Sequence, residues 1–215
     1  PLLLFFASQL VRAGVKPAAV LETRTHWWAA LRHAPRFVMA PDYLSKGLSM
    51  IGALRSAGVT IRRGISGLHL LGNERVEGVS YAWRRAKREE PADLVLLHQG
   101  VVPNVNLALS VRCEHVWDER QRCFRPRLDS WSARSVNGVR IAGDGGGIIG
   151  AKASEMSGVL AALGAAHALE RISAGERERR AAEIRATLDT HLSARPFLDA
   201  LYRPAQEWVA PRDPE

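Results

Sequence analysis

Residues 139–153 read Val-Arg-Ile-Ala-Gly-Asp-Gly-Gly-Gly-Ile-Ile-Gly-Ala-Lys-Ala, and the interpretation of the whole chain starts from them. A short run rich in β-branched residues leads to Asp144 inside a glycine cluster, and an Ala-rich segment with helical spacing of its apolar residues follows. The pattern predicts a strand, a glycine-rich turn and a helix. Such a turn presents backbone N–H groups and the positive end of a helix dipole to a ligand. On residue preferences alone, however, ordinary turn chemistry is the commoner explanation.

Composition and charge narrow the class of protein. With 215 residues the chain can form one large domain or two small ones, each with a buried core. The net charge of +8 comes mainly from scattered arginines, and the densest basic cluster, 84–88, is followed at once by Glu89 and Glu90. We interpret this cluster as a solvated hairpin tip, and we expect no nucleic-acid partner.

The two cysteines, Cys113 and Cys123, form neither a CxxC pair nor the short ligand pairs of a zinc site. They are typical of free thiols in a reduced compartment, so we expect no metal site. No apolar run approaches the roughly 18–20 residues of a membrane span. The expected location is therefore the cytoplasm, or the periphery of the inner membrane.

The first 22 residues have the pattern of half a nucleotide-binding unit. Residues 1–12 are predicted to form a helix, and 17–21 a strand that ends at Glu22. A helix followed by such a strand is typical of the second half of a βαβ unit, in which the acid accepts ribose hydroxyls. The preceding strand and glycine-rich turn are expected before Pro1, and Arg24 would favour a phosphorylated ribose instead.

Further elements follow from periodicity and from turn residues. We predict helices over 43–57 and 174–185, a loop with a short helix over 23–44, a turn at Asn137-Gly138, and strands over 59–63, 65–71, 76–83 and 92–97.

The stretch 139–166 resembles the second flavin motif of the two-dinucleotide-binding-domain flavoproteins, the pyridine nucleotide-disulfide oxidoreductase group. The resemblance implies that the Asp of Ala-Gly-Asp hydrogen-bonds the ribityl chain of FAD, and that the start of the next helix faces the flavin carbonyl. The residues that would bind FAD in this way are Ala142, Gly143, Asp144, Gly145, Gly150, Ala151 and Lys152.

Two other segments carry the same resemblance. Gly100, Pro103 and Asn104 resemble the Gly-x-x-Pro-Asn turn at which that group's chain crosses back into the FAD domain, although Asn104 could equally serve its own turn. Residues 194–204 resemble the segment that precedes a cysteine-rich iron–sulfur region in the A subunits of opine and amino-acid oxidases. Hydrogen cyanide synthase and dye-linked proline dehydrogenase subunits share that segment.

The resemblance implies an α/β fold of the two-dinucleotide-binding-domain type, truncated at both ends. Residues 1–97 would be an NAD(P)-binding insert without its first strand and glycine-rich turn, 98–172 the returning half of the FAD domain, and 173–215 a helical extension. The implied cofactors are FAD and, through Glu22, NAD.

The implied activity is that of an oxidoreductase subunit. It would oxidise an amine or amino-acid-type substrate, or pass electrons between NAD(H) and FAD, together with a second oxidase subunit. Two alternatives remain: a flavin-dependent NAD(P)H reductase without an amine substrate, and a non-catalytic, partner-binding subunit or fragment.

Overall fold

The computed structural model describes residues 2–23, 27–35, 41–132 and 136–204. The fold is mixed α/β and divides into two compact units, one made of 1–29 with 41–98 and the other of 30–40 with 99–215. The helices and strands, in chain order, are α1 (Leu2–Arg12), β1 (Ala19–Glu22), α2 (Trp27–Leu31), α3 (Pro41–Ser56), β2 (Thr60–Arg63), β3 (Ser66–Leu71), β4 (Gly78–Trp83), β5 (Ala86–Pro91), α4 (Asn106–Ser110), β6 (His115–Asp118), β7 (Cys123–Pro126), α5 (Ala151–Ala168), α6 (Ala174–Leu192) and α7 (Arg195–Leu201).

The first unit contains the predicted helix–strand pair and a second parallel strand. Strand β1 pairs with β2, and Glu22 lies opposite Arg63 at the ends of the two strands. Helix α1 ends before Gly14, whose φ of 81° suits a glycine after a helix terminus. The apolar faces of these elements meet in a common core formed by Leu4, Ala7, Val20, Leu54 and Val59. Helix α1, strand β1, helix α3 and strand β2 thus agree with the sequence prediction within a few residues.

A three-stranded antiparallel sheet, ordered β3-β4-β5, completes this unit. Its hairpin tip is only Arg84 and Arg85, both with positive φ, and 86–91 form strand β5. The solvated hairpin tip predicted at 84–88 is present, since all five residues are exposed, but only its first two residues form the turn and 86–88 already pair with β4.

The prediction of a strand over 92–97 is wrong. Strand β5 already occupies the edge beside β4, and 92–97 joins no ladder among the described residues. Leu94 and Leu97 are 75% and 62% exposed.

The second unit contains the short helix α4, the β6–β7 hairpin and three packed helices, α5 to α7. Leu160, Leu163 and Ala181 form its core, with Trp131 packed against them. Helix α6 starts where Ser173 accepts the Glu176 N–H at 3.2 Å, which is an ordinary N-cap. It runs seven residues beyond the predicted end at 185.

The strand predicted before Asp144 is reduced to a single bridge residue, Arg140. The Ile141 N–H donates to the Ser132 carbonyl at 3.0 Å, and the Arg140 guanidinium donates to the Trp131 carbonyl at 2.8 Å. Residues 140 and 141 are therefore held by hydrogen bonds to the irregular segment at 131–132. A 3₁₀ turn over Gly143–Gly146 follows directly.

Candidate functional site

The carboxylate of Asp144 organises the glycine-rich loop before α5. Its Oδ1 accepts three hydrogen bonds, from the Ile149 N–H at 2.8 Å, the Gly150 N–H at 2.9 Å and the Ser154 hydroxyl at 3.3 Å. Among the described residues no donor reaches Oδ2. One oxygen of Asp144 therefore closes the loop, while the other remains able to accept a hydrogen bond from a ligand.

Two features of position 143 favour glycine, its backbone conformation and the closeness of Ser154. Its φ of 64° lies in the left-handed region, and an added Cβ would come within 3.0 Å of the Ser154 Cβ. Its N–H donates to the Ser157 hydroxyl at 3.1 Å. Ala142, directly before it, has extended backbone, so the chain turns sharply at Gly143. The loop thus packs closely against the first two turns of α5.

The start of α5 faces outward from this loop. Gly150 is its N-cap, with φ of 93° and no capping side chain, and Ala151 and Lys152 are exposed. Backbone N–H groups in the first turn of a helix have no carbonyl partner within that helix. Together with the helix dipole they favour an anionic or electron-rich group. The structure therefore brings the seven predicted FAD residues into one continuous loop and helix start.

Gln121 holds the same loop from the opposite side. Its amide oxygen accepts the Ile148 N–H at 3.0 Å, and its amide nitrogen donates to the Ile148 carbonyl at 2.7 Å. Both polar groups of one loop residue are thus satisfied by one side chain. No sequence pattern pointed to this role, because Gln121 lies in no motif and 27 residues separate it from Ile148.

The C-terminal segment is tied to the β6–β7 turn. Asp199 accepts from Gln121 at 3.4 Å and is ion-paired with Arg195. Burial is the largest influence on Asp199 and raises the pKa of its carboxyl, while Arg195 and Gln121 oppose that shift. Arg122 donates to the Pro204 carbonyl at 2.6 Å. The segment 195–204 is therefore linked to the Asp144 loop through Gln121.

Of the three predicted crossover residues, Gly100 lies close to this C-terminal segment. Gly100 has φ of 127°, and a Cβ there would lie 3.2 Å from the Pro204 ring. Pro103 is buried, whereas Asn104 is exposed. The Asn104 side chain accepts the Asn106 N–H at 3.2 Å, as in an ordinary Asx turn.

Glu22 lies at the end of β1, as predicted, but its carboxylate already has a partner. Arg63 donates from Nε to Glu22 Oε2 at 2.9 Å, and the Glu22 side chain is only 14% exposed. A ribose would have to share this carboxylate with the guanidinium. Arg24 lies outside the described residues.

The two cysteines are free and buried. Burial, and then the nearby carboxylate of Asp118, raise the pKa of the Cys123 thiol to about 11, so it is protonated at neutral pH. In the described part of the chain no group of three metal-ligating side chains is present. No helix there is both long and apolar enough to cross a membrane.

Known proteins share both the sequence and the fold of this chain. The A subunit of opine oxidase from Agrobacterium tumefaciens (strain Ach5) is 40% identical over 217 residues that include all of this chain. The chain is a relative of the opine oxidase A subunits. It is 39% identical, again over its full length, to the corresponding opine oxidase A subunit of Rhizobium meliloti. The chain spans 43% and 41% of the lengths of these two proteins.

One relative and one solved structure resemble the chain at lower identity. Hydrogen cyanide synthase subunit HcnB of Pseudomonas protegens is 29% identical over 171 residues, which are 76% of this chain and 36% of that protein. The crystal structure of L-proline dehydrogenase from P. horikoshii shares the fold, with a TM-score of 0.52 and 17% identity over 83% of this chain and 32% of that one. No family model matches the sequence. The relationship predicted from 139–166 and 194–204 is thereby confirmed.

Proposed function

We propose that the chain is part of an FAD-dependent oxidoreductase subunit. The single observation that carries this proposal is the Asp144 loop, in which one carboxylate oxygen closes the turn and the other has no donor among the described residues. The residues fit a flavin because the loop combines an acceptor for a hydroxyl group, a left-handed Gly143 and an exposed helix start. FAD would supply the hydride and electron chemistry, and the protein would supply binding, orientation and electrostatics.

In this proposal each part of the loop has its own task. Asp144 Oδ2 accepts a hydroxyl of the ribityl chain, with Ala142, Gly143 and Gly145 shaping the approach. The helix start at Gly150, Ala151 and Lys152 stabilises negative charge beside it. Gln121 keeps the backbone of Ile148 in place, so that the loop is ordered before the ligand binds.

The proposed substrate is an amine or amino-acid-type compound, because two relatives with 40% and 39% identity are named opine oxidase and one with 29% identity is named hydrogen cyanide synthase. Electron exchange between NAD(H) and FAD is the alternative route, and it relies on Glu22 at the end of β1. Those relatives are named as subunits, which supports a hetero-oligomer with a second oxidase subunit.

The proposed organisation follows that of the resembling flavoproteins. Residues 1–97 form the NAD(P)-binding insert, 98–172 the returning half of the FAD domain and 173–215 a helical extension. Gly100, Pro103 and Asn104 mark the crossover, and Gly100 lies close to the Pro204 ring.

A visible absorption spectrum tests the proposal on the purified full-length protein with its partner subunit. We expect absorption bands that correspond to one bound FAD per full-length subunit. An amine substrate or NADH should bleach these bands when oxygen is excluded. Absence of bound flavin would contradict the proposal and favour a non-catalytic subunit. Bleaching by NADH but by no amine would favour the NAD(P)H reductase.

A further inference from the structure

The first unit contains a cleft of about 400 Å³, whereas the Asp144 loop belongs to the second unit. Three arginines line this cleft, from the last turn of α3, the end of β2 and the hairpin tip. The complete lining is Arg55, Ile61, Arg63, Gly64, Trp83 and Arg84. We call it the tri-arginine pocket.

The charge of this pocket is unbalanced. Arg63 is paired with Glu22 at 2.9 Å. Among the described residues no carboxylate lies within ion-pair distance of Arg55 or Arg84, and both side chains are exposed. The lining carries three guanidinium groups and no carboxylate, and only Arg63 among them has a carboxylate partner, so positive charge is in excess. A concave surface lined by one sign of charge concentrates counter-ions of the other sign.

The geometry also limits the kind of anion. Guanidinium groups match the oxygens of phosphate with paired hydrogen bonds, and a phosphate dianion would neutralise the excess charge. The volume falls within the range of roughly 300–1,000 Å³ that is usual for small-molecule sites. It is larger than a free phosphate needs. Trp83 forms one wall, fixed by donation from its Nε1 to the Arg63 carbonyl at 3.2 Å and by the Arg84 guanidinium 4.5 Å from its ring centroid.

We propose that the tri-arginine pocket binds a phosphate dianion, either free or as the phosphate group of a small organic molecule. Arg55, Arg63 and Arg84 hold the phosphate, and the wall formed by Trp83 lies beside the remainder of an organic ligand. The proposal does not depend on flavin binding, because every lining residue belongs to the first unit.

The hairpin tip provides a matched pair of variants. Arg84 and Arg85 are adjacent, exposed and both of positive φ, but Arg85 does not line the pocket. Arg84→Gln and Arg85→Gln remove the same charge from the same turn. Neither side chain is part of a core, so both variants should fold like the parent protein.

Calorimetric titration of the full-length protein with 5′-AMP, adenosine and inorganic phosphate tests the proposal. We expect 5′-AMP to bind more tightly than adenosine, and the 5′-AMP affinity to fall about tenfold in Arg84→Gln and less than twofold in Arg85→Gln. The double variant Arg55→Gln/Arg84→Gln should lower the 5′-AMP affinity to that of adenosine. If inorganic phosphate binds as tightly as 5′-AMP, the ligand is free phosphate. Weaker binding of inorganic phosphate identifies an organic phosphate.

Equal 5′-AMP affinity in Arg84→Gln and Arg85→Gln, or equal binding of adenosine and 5′-AMP, would overturn the proposal. The FAD affinity of the same variants separates this result from the proposed function. Arg84→Gln should leave FAD binding unchanged, whether or not it weakens 5′-AMP.

Discussion

At the scale of single residues, Gly143 is the position at which the loop is most constrained. Gly143→Ala would place a methyl group 3.0 Å from the Ser154 Cβ at a φ of 64°. We expect a loss of about 1–3 kcal/mol of unfolding free energy, together with weaker FAD binding. Gly145→Ala is the matched control, since its Cβ would meet Ile141 at an ordinary 3.6 Å. Urea titrations of both variants measure this, and equal stability would contradict the strain.

Gln121 should act on the loop through Ile148. Gln121→Ala removes both hydrogen bonds to the backbone of that residue, which costs roughly 1–3 kcal/mol if these groups stay partly buried. The control is Arg120→Ala, because the Arg120 side chain is exposed on the same turn. Thermal unfolding with and without FAD should show a lower Tm and a smaller FAD-induced shift for Gln121→Ala only. A Tm equal to that of the control would show that Gln121 does not hold the loop.

The raised pKa of Cys123 has a consequence for stability at high pH. Its folded-state pKa of about 11 exceeds the ordinary 9.0, so the folded state holds the proton more tightly. Stability is therefore lost as the pH rises from about 9 to 11, by roughly 2–3 kcal/mol at most. Cys123→Ala should lack this component and Cys113→Ala should keep it. Unfolding free energies at pH 8, 9, 10 and 11 test the difference, and parallel curves for both variants would contradict it.

At the scale of elements, two glycines of α5 should respond in opposite directions to the same substitution. A Cβ at Gly164 would lie 2.7 Å from Arg140 Nη1 and 3.1 Å from the Trp131 carbonyl oxygen, whereas a Cβ at Gly158 meets nothing within 4 Å. Gly158→Ala should stabilise the helix by about 0.5–1 kcal/mol, and Gly164→Ala should destabilise the unit. Chemical denaturation compares them. Stabilisation by both substitutions would mean that α5 is not packed against Trp131.

The elements also show how much of the fold local sequence patterns predict. Helix spacing predicts α1 and α3 within a few residues and predicts a helix after the glycine cluster, where α5 lies, because local periodicity determines which helix face is buried. The prediction of a strand over 92–97 is wrong, because an apolar run does not reveal whether a neighbouring strand has a free edge to pair with. The same limit applies to Gln121, since contacts between residues distant in sequence leave no local pattern. The sequence predicts Asp144 as a loop residue, but the different roles of its two oxygens depend on the folded position of Ile149, Gly150 and Ser154.

At the scale of the whole molecule, each of the two units exposes large apolar side chains in the described residues next to the chain boundary at 98. Eight large apolar side chains there are between 38% and 78% exposed: Leu94, Leu96, Leu97, Val101, Val102, Leu107, Leu109 and Val111. Exposed apolar surface on this scale marks interaction sites or promotes aggregation.

We therefore expect the isolated 215-residue chain to self-associate and to bind flavin poorly. Leu107→Asp, at a side chain 78% exposed, should reduce this association. Leu169→Asp, at a position 69% exposed on another part of the chain, should not. Size-exclusion chromatography with light scattering reports the mass. A monomer carrying stoichiometric FAD would contradict this expectation.

The flavin site itself is best tested by the dissociation constant of FAD for Asp144→Asn in the full-length protein. The asparagine keeps an oxygen for the Ile149 and Gly150 N–H groups, so the loop and the Tm should be preserved. It lacks the charged second oxygen, and a charge-assisted hydrogen bond is worth roughly 1–1.5 kcal/mol more than a neutral one. We expect FAD affinity to fall by about tenfold with little change in Tm. An unchanged dissociation constant would mean that Asp144 only stabilises the turn, and it would contradict a flavin site in this loop.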